Sequence, residues 1–193
     1  HTADSVYATG AKKRVFPDPH EAARLVEAIN NAEKVTIFAG WGARDARDEV
    51  FALAEKIKAP IGHSFRGKMY FEHDNPYDVG MSGLLGYGAC LDAMEESDLF
   101  IMVGTDFPYT DWLPDENVAQ IDIDGTHIGR RTKVDYPVVG DVKSVIENIL
   151  PHIEEKSDRK FLDKMLKRHY QLLDHVVKSY TSKAFESKTV SYT

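Results

Sequence analysis

The amino-acid sequence predicts an α/β protein in which helices cover both faces of a parallel β-sheet. Short apolar segments rich in β-branched residues alternate along the chain with segments whose apolar residues recur at helical spacing. The short segments are apolar runs and do not alternate apolar with polar residues, which is typical of strands in a sheet that is covered on both faces. With 193 residues, of which 42% are apolar, the chain is long enough to enclose a hydrophobic core of its own.

The first part of the chain contains two predicted helices and two predicted strands. Asp18 can cap a helix, and Pro19 has the backbone conformation that the first helical position needs. The elements that follow are a strand over 34–40, a helix over 43–57 and a strand over 59–65. The glycine-rich stretch 66–88 has no clear period, and a long irregular segment in a compact domain is usually functional.

The second part continues the alternation and ends in a long charged helix. The predicted elements are a helix over 89–96, strands over 98–104, 117–123 and 136–140, and a helix that Asp141 caps and that stops before Pro151. The predicted organisation is an arm or linker over 1–16, a central domain over 17–153, a linker or docking helix over 154–182 and a polar tail over 183–193.

Composition argues against several classes of protein. Cys90 is the only cysteine, so an internal disulfide and a cysteine-rich zinc site are both excluded. The formal net charge of −7 argues against a nucleic-acid partner, which normally needs a basic surface. The apolar runs are too short to cross a membrane, and the histidines show no metal-ligand spacing. Because the chain begins at His1 without an apolar leader, we expect a fragment of a larger protein with no secretory signal.

A glycine turn follows the first predicted strand. In the run Gly40, Trp41, Gly42 and Ala43, the free N–H groups of a following helix would suit a phosphate. The third glycine of the dinucleotide fingerprint is missing, so a tight strand-to-helix turn is the alternative interpretation. Arg66 lies in a second turn and could face a diphosphate.

Two further segments carry potential ligand contacts. Between Gly80 and Gly86, the glycines permit close approach of the backbone to a ligand, and a mobile loop is the alternative. The segment 104–109 follows a predicted strand, where open α/β sheets bind ligands. There Thr105 could donate a hydrogen bond and two aromatic residues could stack on rings, unless the loop is packed by its own aromatics.

Acidic residues follow the last two predicted strands. Asp122 is placed to accept hydrogen bonds from a ribose, whereas Asp124 is expected to open a turn with Gly125. Asp141 is expected mainly as a helix cap, which does not exclude a contact to an adenine edge. The strand ends therefore predict a nucleotide-like site, but the sequence offers no evident catalytic group and no metal site. This combination is typical of one part of a larger enzyme.

From Val35 to about Leu162 the chain resembles the middle domain of thiamine-diphosphate-dependent pyruvate oxidases, also called pyruvate dehydrogenase (quinone). The segments that carry the resemblance are ARDEV (46–50), RGK (66–68), DNPYDVGMSGLLG (74–86), VGTDFPY (103–109), QIDID (120–124), IGRRTKVD (128–135), VGDVKS (139–144) and EEKSDRKFLDK (154–164). The resemblance implies a six-stranded parallel, Rossmann-like three-layer domain that binds FAD.

The same resemblance implies which residues contact FAD. They are Gly42, Ala43, Arg66, Ser82, Gly83, Leu84, Leu85, Thr105, Asp106, Phe107, Pro108, Tyr109, Asp122 and Asp141. Thiamine diphosphate and Mg²⁺ would lie in flanking domains that this chain lacks, since Gly140 and Asp141 are followed by Val142 and not by the glycine of the diphosphate motif.

In such enzymes pyruvate is oxidatively decarboxylated and electrons pass to quinone or oxygen. The fragment alone is therefore expected to be inactive. The full-length protein is expected to be a cytoplasmic homo-oligomer, peripheral at the inner face of the cell membrane. Two alternatives are the central domain of an acetolactate synthase-like thiamine-diphosphate enzyme and a stand-alone nucleotide-binding module.

Overall fold

Six parallel strands form the centre of the fold in the computed structural model, which describes residues 14–180. They are β1 (Val35–Ala39), β2 (Ile61–His63), β3 (Asp78–Met81), β5 (Leu99–Val103), β6 (Val118–Asp122) and β7 (Tyr136–Val139). A two-residue strand, β4 (Tyr87–Gly88), pairs antiparallel with β3 and makes the sheet seven-stranded, in the order β4-β3-β2-β1-β5-β6-β7. The predicted six-stranded parallel sheet is thus confirmed, with an antiparallel edge strand added.

Helices cover both faces of the sheet, as predicted. They are α1 (Pro19–Asn31), α2 (Arg47–Ile57), α3 (Lys68–Phe71), α4 (Cys90–Glu96), α5 (Val142–Ile149) and α6 (Lys160–Tyr180). Asp18 caps α1 by accepting hydrogen bonds from the N–H groups of His20 and Glu21, at 2.8 and 3.3 Å. Asp141 caps α5 in the same way through the N–H of Ser144, at 2.8 Å.

The structure differs from the sequence-based prediction at three places. The helix predicted from residue 43 begins at Arg47, because a short 3₁₀ turn over Trp41–Ala43 comes first. Within the segment 154–182, predicted as a linker or docking helix, the helix begins at Lys160. The stretch 66–88 is less irregular than predicted, since it contains α3 and the β3–β4 hairpin. Residues 1–13 and the predicted tail 183–193 lie outside the described residues.

The core is divided between the two faces of the sheet. On one face Ile37 of β1 pairs with Ile61 and Ile101 of the neighbouring strands, and all three pack against α1, α2 and α5. On the other face Phe38 and its neighbours pack against Cys90 and the rest of α4. Cys90 is fully buried, and this burial raises the pKa of its thiol, so the prediction of a core cysteine is confirmed.

Successive strands are added on one side of β1 up to β3 and on the other side from β5 onwards. From β1 the chain proceeds through β2 to β3 on one side, and it then returns to β5 on the other side of β1. In open α/β sheets such a switch point leaves a crevice at the carboxyl ends of the strands. The two loops at this point contact each other directly, because the Gly42 N–H donates to the Gly104 carbonyl at 2.8 Å.

Helix α6 is only partly docked on the rest of the domain. Leu162, Met165 and His169, in the first half of α6, are buried against the sheet and α4. Val177 and Tyr180, near its end, are exposed. No helix within residues 14–180 is long and apolar enough to cross a membrane.

Candidate functional site

A cleft of about 600 Å³ opens at the switch point, at the carboxyl edge of the sheet. It is lined by Trp41, residues 64–66, 81–85 and 104–109, and His127. Ten of the fourteen cofactor contacts implied by the resemblance line this cleft. Three more, Gly42, Asp122 and Asp141, line an adjoining groove, and Ala43 lines neither. The structure therefore brings together segments that are distant along the chain.

One end of the cleft is apolar and aromatic. The ring of Phe107 stands edge-on to Phe38 and to Tyr109, with centroids 5.0 and 5.2 Å apart. Phe107 is only 3% exposed, so it belongs to the core and supports Tyr109 from below. Phe107 therefore packs inside the loop, as in the alternative interpretation, whereas Tyr109 is exposed to the cleft.

The loop between β3 and β4 forms the opposite wall. Leu84 and Leu85 are exposed on this loop at the cleft. Ser82 and Thr105 are both nearly buried and line the cleft from two different loops. Two hydroxyls in an apolar cleft are suited to orient a ligand that carries polar atoms on a ring.

A second, more polar groove of about 410 Å³ adjoins the cleft at Gly104, which lines both. Asp122, Asp141 and Arg44 lie in this groove. Asp122 is 6% exposed, and its Oδ1 accepts a hydrogen bond from the Asp124 N–H at 2.9 Å. Asp122 and Asp141 therefore lie near each other at the end that the sequence predicted for a nucleoside.

Local hydrogen bonds show what the carboxylates of Asp124 and Asp141 do. Asp124 opens a turn, as predicted, because its Oδ1 accepts from the N–H and the hydroxyl of Thr126 at 2.9 and 2.7 Å. Asp141 caps α5 through one carboxylate oxygen, while its own N–H donates to the carbonyl of Val15. Asp141 is thus confirmed as a cap and also lines the groove.

Three N–H groups of the glycine turn after β1, those of Gly42, Ala43 and Arg44, are hydrogen-bonded within the protein. The N–H of Ala43 donates to the Gly40 carbonyl at 3.1 Å, and that of Arg44 donates to the Trp41 carbonyl at 3.2 Å. The side chain of Ala43 is in the core and lines neither cavity. Trp41–Ala43 thus form a tight turn, as in the alternative interpretation, whereas a phosphate contact from the following helix, which begins at Arg47, stays a prediction.

Positive charge at the site comes from two arginine side chains that the sequence did not predict to lie close together. The guanidinium carbons of Arg44 and Arg66 lie 4.8 and 4.6 Å from the centroid of the Trp41 ring. Arg66 lines the cleft and Arg44 lines the groove, so Trp41 joins the two cations across the switch point. Only the three-residue spacing of Trp41 and Arg44 was visible in the sequence, because Arg66 comes from the loop after β2.

The side chain of Asp106 is held by two arginines at the edge of the cleft. Its carboxylate accepts hydrogen bonds from both Arg130 and Arg131, with the Arg131 Nε at 2.9 Å. Burial opposes ionisation, but the two guanidinium groups outweigh it and lower the pKa of Asp106 to about 2. Since this carboxylate is engaged, any ligand contact from Asp106 would come from its backbone.

His127 is a cleft residue that the sequence analysis missed. It follows β6 in the same turn as Asp124, and its Nδ1 lies 3.4 Å from Oδ1 of Asp122. The histidines were examined for metal-ligand spacing, and that criterion does not detect a single histidine beside an acid. No group of three or more His, Cys, Asp or Glu residues within 14–180 is placed to hold a metal ion.

A buried ionisable cluster lies beneath the β3–β4 hairpin. Asp78 of β3 lies between His63 and His169, whose Nε2 atoms are 3.5 and 3.6 Å from its two oxygens. Burial raises the pKa of Asp78 to about 7, and burial lowers the pKa of His63 to about 4. An ionised Asp78 carboxylate in this buried cluster destabilises the folded protein at neutral pH and above.

Replacing Asp78 by asparagine is expected to stabilise the protein more at alkaline than at acidic pH. The folded protein binds the Asp78 proton more tightly than the unfolded chain does. Protonation of Asp78 therefore stabilises the folded state at low pH, and this stabilisation is lost as pH rises from about 4 to about 7. Asp78→Asn has no such loss, and its advantage over the parent should grow by about 2 to 4 kcal/mol across this window. Urea unfolding at pH 4.5 and pH 8, with the exposed Asp115→Asn as control, measures the difference. An equal effect at both pH values would contradict the assigned cause.

Comparison with known proteins assigns the chain to a family. A family model described as "Thiamine pyrophosphate enzyme, central domain" matches residues 22–149. A solved structure of a putative thiamin diphosphate-dependent enzyme from Mycobacterium smegmatis is similar, with a TM-score of 0.64 and 28% identity. The match covers 77% of this chain and 30% of that one.

Curated relatives agree with this match. A putative thiamine pyrophosphate-containing protein, YdaP, from Bacillus subtilis is 38% identical over 148 residues, which is 76% of this chain and 26% of that protein. A probable acetolactate synthase large subunit from Methanocaldococcus jannaschii is 32% identical over 149 residues, 73% of this chain and 25% of that protein. The chain thus spans about a quarter of the length of these curated relatives.

Proposed function

This chain belongs to the thiamine pyrophosphate enzyme family as one of its central domains, and from that premise we propose that it binds FAD within a larger 2-oxo-acid enzyme. The observation that supports FAD most directly is the pair of cavities that meet at Gly104. One is apolar and aromatic, and the other carries both acidic and basic side chains. Arg66 of the first and Arg44 of the second both lie over the ring of Trp41.

The residues present fit the chemistry of an extended dinucleotide. The cleft beside Tyr109 and Leu84 suits a flat ring system, and the Thr105 hydroxyl can bond to polar atoms on it. Arg44 and Arg66 can neutralise a diphosphate, and Asp122 can accept hydrogen bonds from ribose hydroxyls. FAD, when bound, supplies a ring system that can accept and release electrons.

For the whole protein, we propose an acetolactate synthase-like enzyme that uses pyruvate. Curated relatives that match this chain over about 73% of its length carry that description, including proteins from Methanocaldococcus jannaschii and Mycobacterium bovis. Thiamine diphosphate and Mg²⁺ would be held by the other domains of such a protein, and catalysis would need them. The proposed role of this chain is to hold FAD beside them.

Pyruvate oxidase is the second candidate. The segments 82–85 and 104–109, which resemble that branch, are the two facing walls of the cleft. The comparisons describe relatives as acetolactate synthase or as thiamine-diphosphate proteins, so they support the first candidate at least as well.

Titration of the chain with FAD is expected to give saturable binding. FMN lacks the adenosine that would contact Asp122, and NAD lacks the flavin ring, so both should bind more weakly. Flavin fluorescence measures the first two ligands, and displacement of FAD measures the third. Equal affinity for FMN and FAD would contradict the assignment of the nucleoside to the groove at Asp122, and no binding of either flavin would contradict FAD binding by this chain.

The encoded full-length protein separates the two enzyme candidates. Supplied with pyruvate, thiamine diphosphate, Mg²⁺ and FAD, an acetolactate synthase should form acetolactate without an added electron acceptor. A pyruvate oxidase should form acetate only when a quinone or oxygen is present. The ratio of the two products decides between the candidates.

A further inference from the structure

A buried amide connects two loops of the candidate site from below. Gln120, in the middle of β6, is 2% exposed and lies between the fully buried Ala119 and Ile121. Its Nε2 donates to the carbonyls of Thr105 and His127, both at 3.3 Å. Its Oε1 accepts a hydrogen bond from the Gly129 N–H at 3.0 Å.

Only an uncharged amide satisfies all three partners. Two carbonyl oxygens need donors and one N–H needs an acceptor, and the carboxamide of glutamine offers both. An apolar side chain, the usual choice for a strand covered on both faces, would leave the Thr105 carbonyl and the Gly129 N–H unpaired. The His127 carbonyl would keep only the Arg130 N–H, at 3.2 Å. An ionised glutamate would place a negative charge against two carbonyl oxygens.

The three partners lie in the loops that form one side of the site. Thr105 lines the cleft at the end of β5, and His127 lines it after β6. His127 in turn lies beside the Asp122 carboxylate, with its Nδ1 at 3.4 Å from the nearer oxygen. Gln120 itself lines neither cavity, so it can affect a ligand only through these loops.

We propose that Gln120 is a positioning residue: it sets the separation of the Thr105 and His127 loops and thereby the presentation of Asp122 to a ligand. The ligand part of this inference rests on the proposed binding of FAD. The Asp106–Arg130–Arg131 cluster joins the same two loops nearer to solvent, where water can replace a lost hydrogen bond. At the buried Gln120 no such replacement is available, so its loss should be felt in both loops.

The test compares Gln120→Glu with Gln171→Glu, the same change at an exposed position on α6. Hydrogen–deuterium exchange is measured at pH 8 and pH 5 and corrected for intrinsic rates. At pH 8, Gln120→Glu should exchange about tenfold faster in 104–109 and 127–131, with α1 unchanged, as expected for about 1.4 kcal/mol of local destabilisation. At pH 5 a protonated glutamate can again donate one hydrogen bond, and most of the protection should return.

The control Gln171→Glu should match the parent at both pH values. If Gln120→Glu does not fold at pH 8, Gln120→Met removes the same hydrogen bonds without adding charge and should loosen the same two loops. Unchanged exchange in both loops, or faster exchange spread evenly over α1 and the sheet, would overturn the proposal.

FAD titration of the same variants separates the two parts of the inference. Gln120→Met should weaken FAD binding about tenfold relative to the parent. Looser loops with unchanged FAD affinity would overturn the positioning role. If the parent itself binds no FAD, the proposed function fails, while the exchange measurements still decide whether Gln120 holds the loops.

Discussion

Replacing Gly104 by alanine is expected to destabilise the protein by about 3 to 5 kcal/mol, a loss at the upper end for single substitutions. Gly104 has a φ of +59°, and a Cβ there would lie 2.5 Å from the backbone N of Ala43 and from the carbonyl carbon of Gly42. Backbone atoms held by the Gly42–Gly104 hydrogen bond cannot move aside as a flexible side chain could. Urea unfolding measures the loss.

Gly129→Ala is the matched control for this prediction. Gly129 also has a positive φ, +71°, but a Cβ there would have no atom within 4 Å. Only the conformational penalty remains, about 1 kcal/mol. If the two variants lose the same stability, the close approach of the two loops is not what makes Gly104 necessary.

Replacing Asp122 by asparagine should weaken FAD binding by about 1 to 3 kcal/mol, roughly 5- to 150-fold. The asparagine keeps an oxygen for the Asp124 N–H, which now bonds to Asp122 Oδ1 at 2.9 Å. What is lost is the charge and one acceptor, the features that suit a carboxylate to ribose hydroxyls. Fluorescence titration of both proteins gives the ratio of the dissociation constants.

Asp124→Asn serves as the control for the Asp122 variant. Asp124 lies two residues away and outside both cavities, and asparagine can form the same turn with Thr126. Its FAD affinity should equal that of the parent. An Asp122→Asn protein that binds FAD as tightly as the parent would show that the nucleoside end lies elsewhere.

Features determined by neighbours in sequence could be predicted well. Asp18 and Asp141 cap helices through N–H groups two or three residues ahead, and the aspartate and proline or glycine beside them are the usual signals. The strands β1, β5 and β6 were recognisable because each is a short, mainly apolar segment rich in β-branched or large apolar residues. Their carboxyl ends meet at one edge in any parallel sheet, which is why the candidate loops could be anticipated.

Features determined by partners far along the chain could not be predicted. β3 contains Asp78 and Gly80 and has no apolar run, and its strand conformation depends on pairing with Ile61 of β2. The role of Gln120 could not be predicted either, because its hydrogen bonds to Thr105 and Gly129 join residues that are 15 and 9 positions apart in the sequence. The sixth parallel strand was expected only from the resemblance.

The same reason explains why the hydrogen bonds of the glycine turn could not be predicted. In the sequence, Gly40 and Gly42 before a helix are typical of N–H groups offered to a phosphate. In the structure, the N–H of Gly42 is used by the carbonyl of Gly104, a residue on another strand. Only the three-dimensional pairing of β1 with β5 shows where that N–H goes.

The contact between the loops of Gly42 and Gly104 has a consequence for the kinetics of binding. Both cavities meet over a floor of hydrogen-bonded backbone, which has no rotamers to order when a ligand arrives. Such preorganisation reduces the entropy lost on association. A ligand that reaches this floor should therefore associate in a single fast phase, and differences in affinity among its analogues should appear mainly in how quickly they leave.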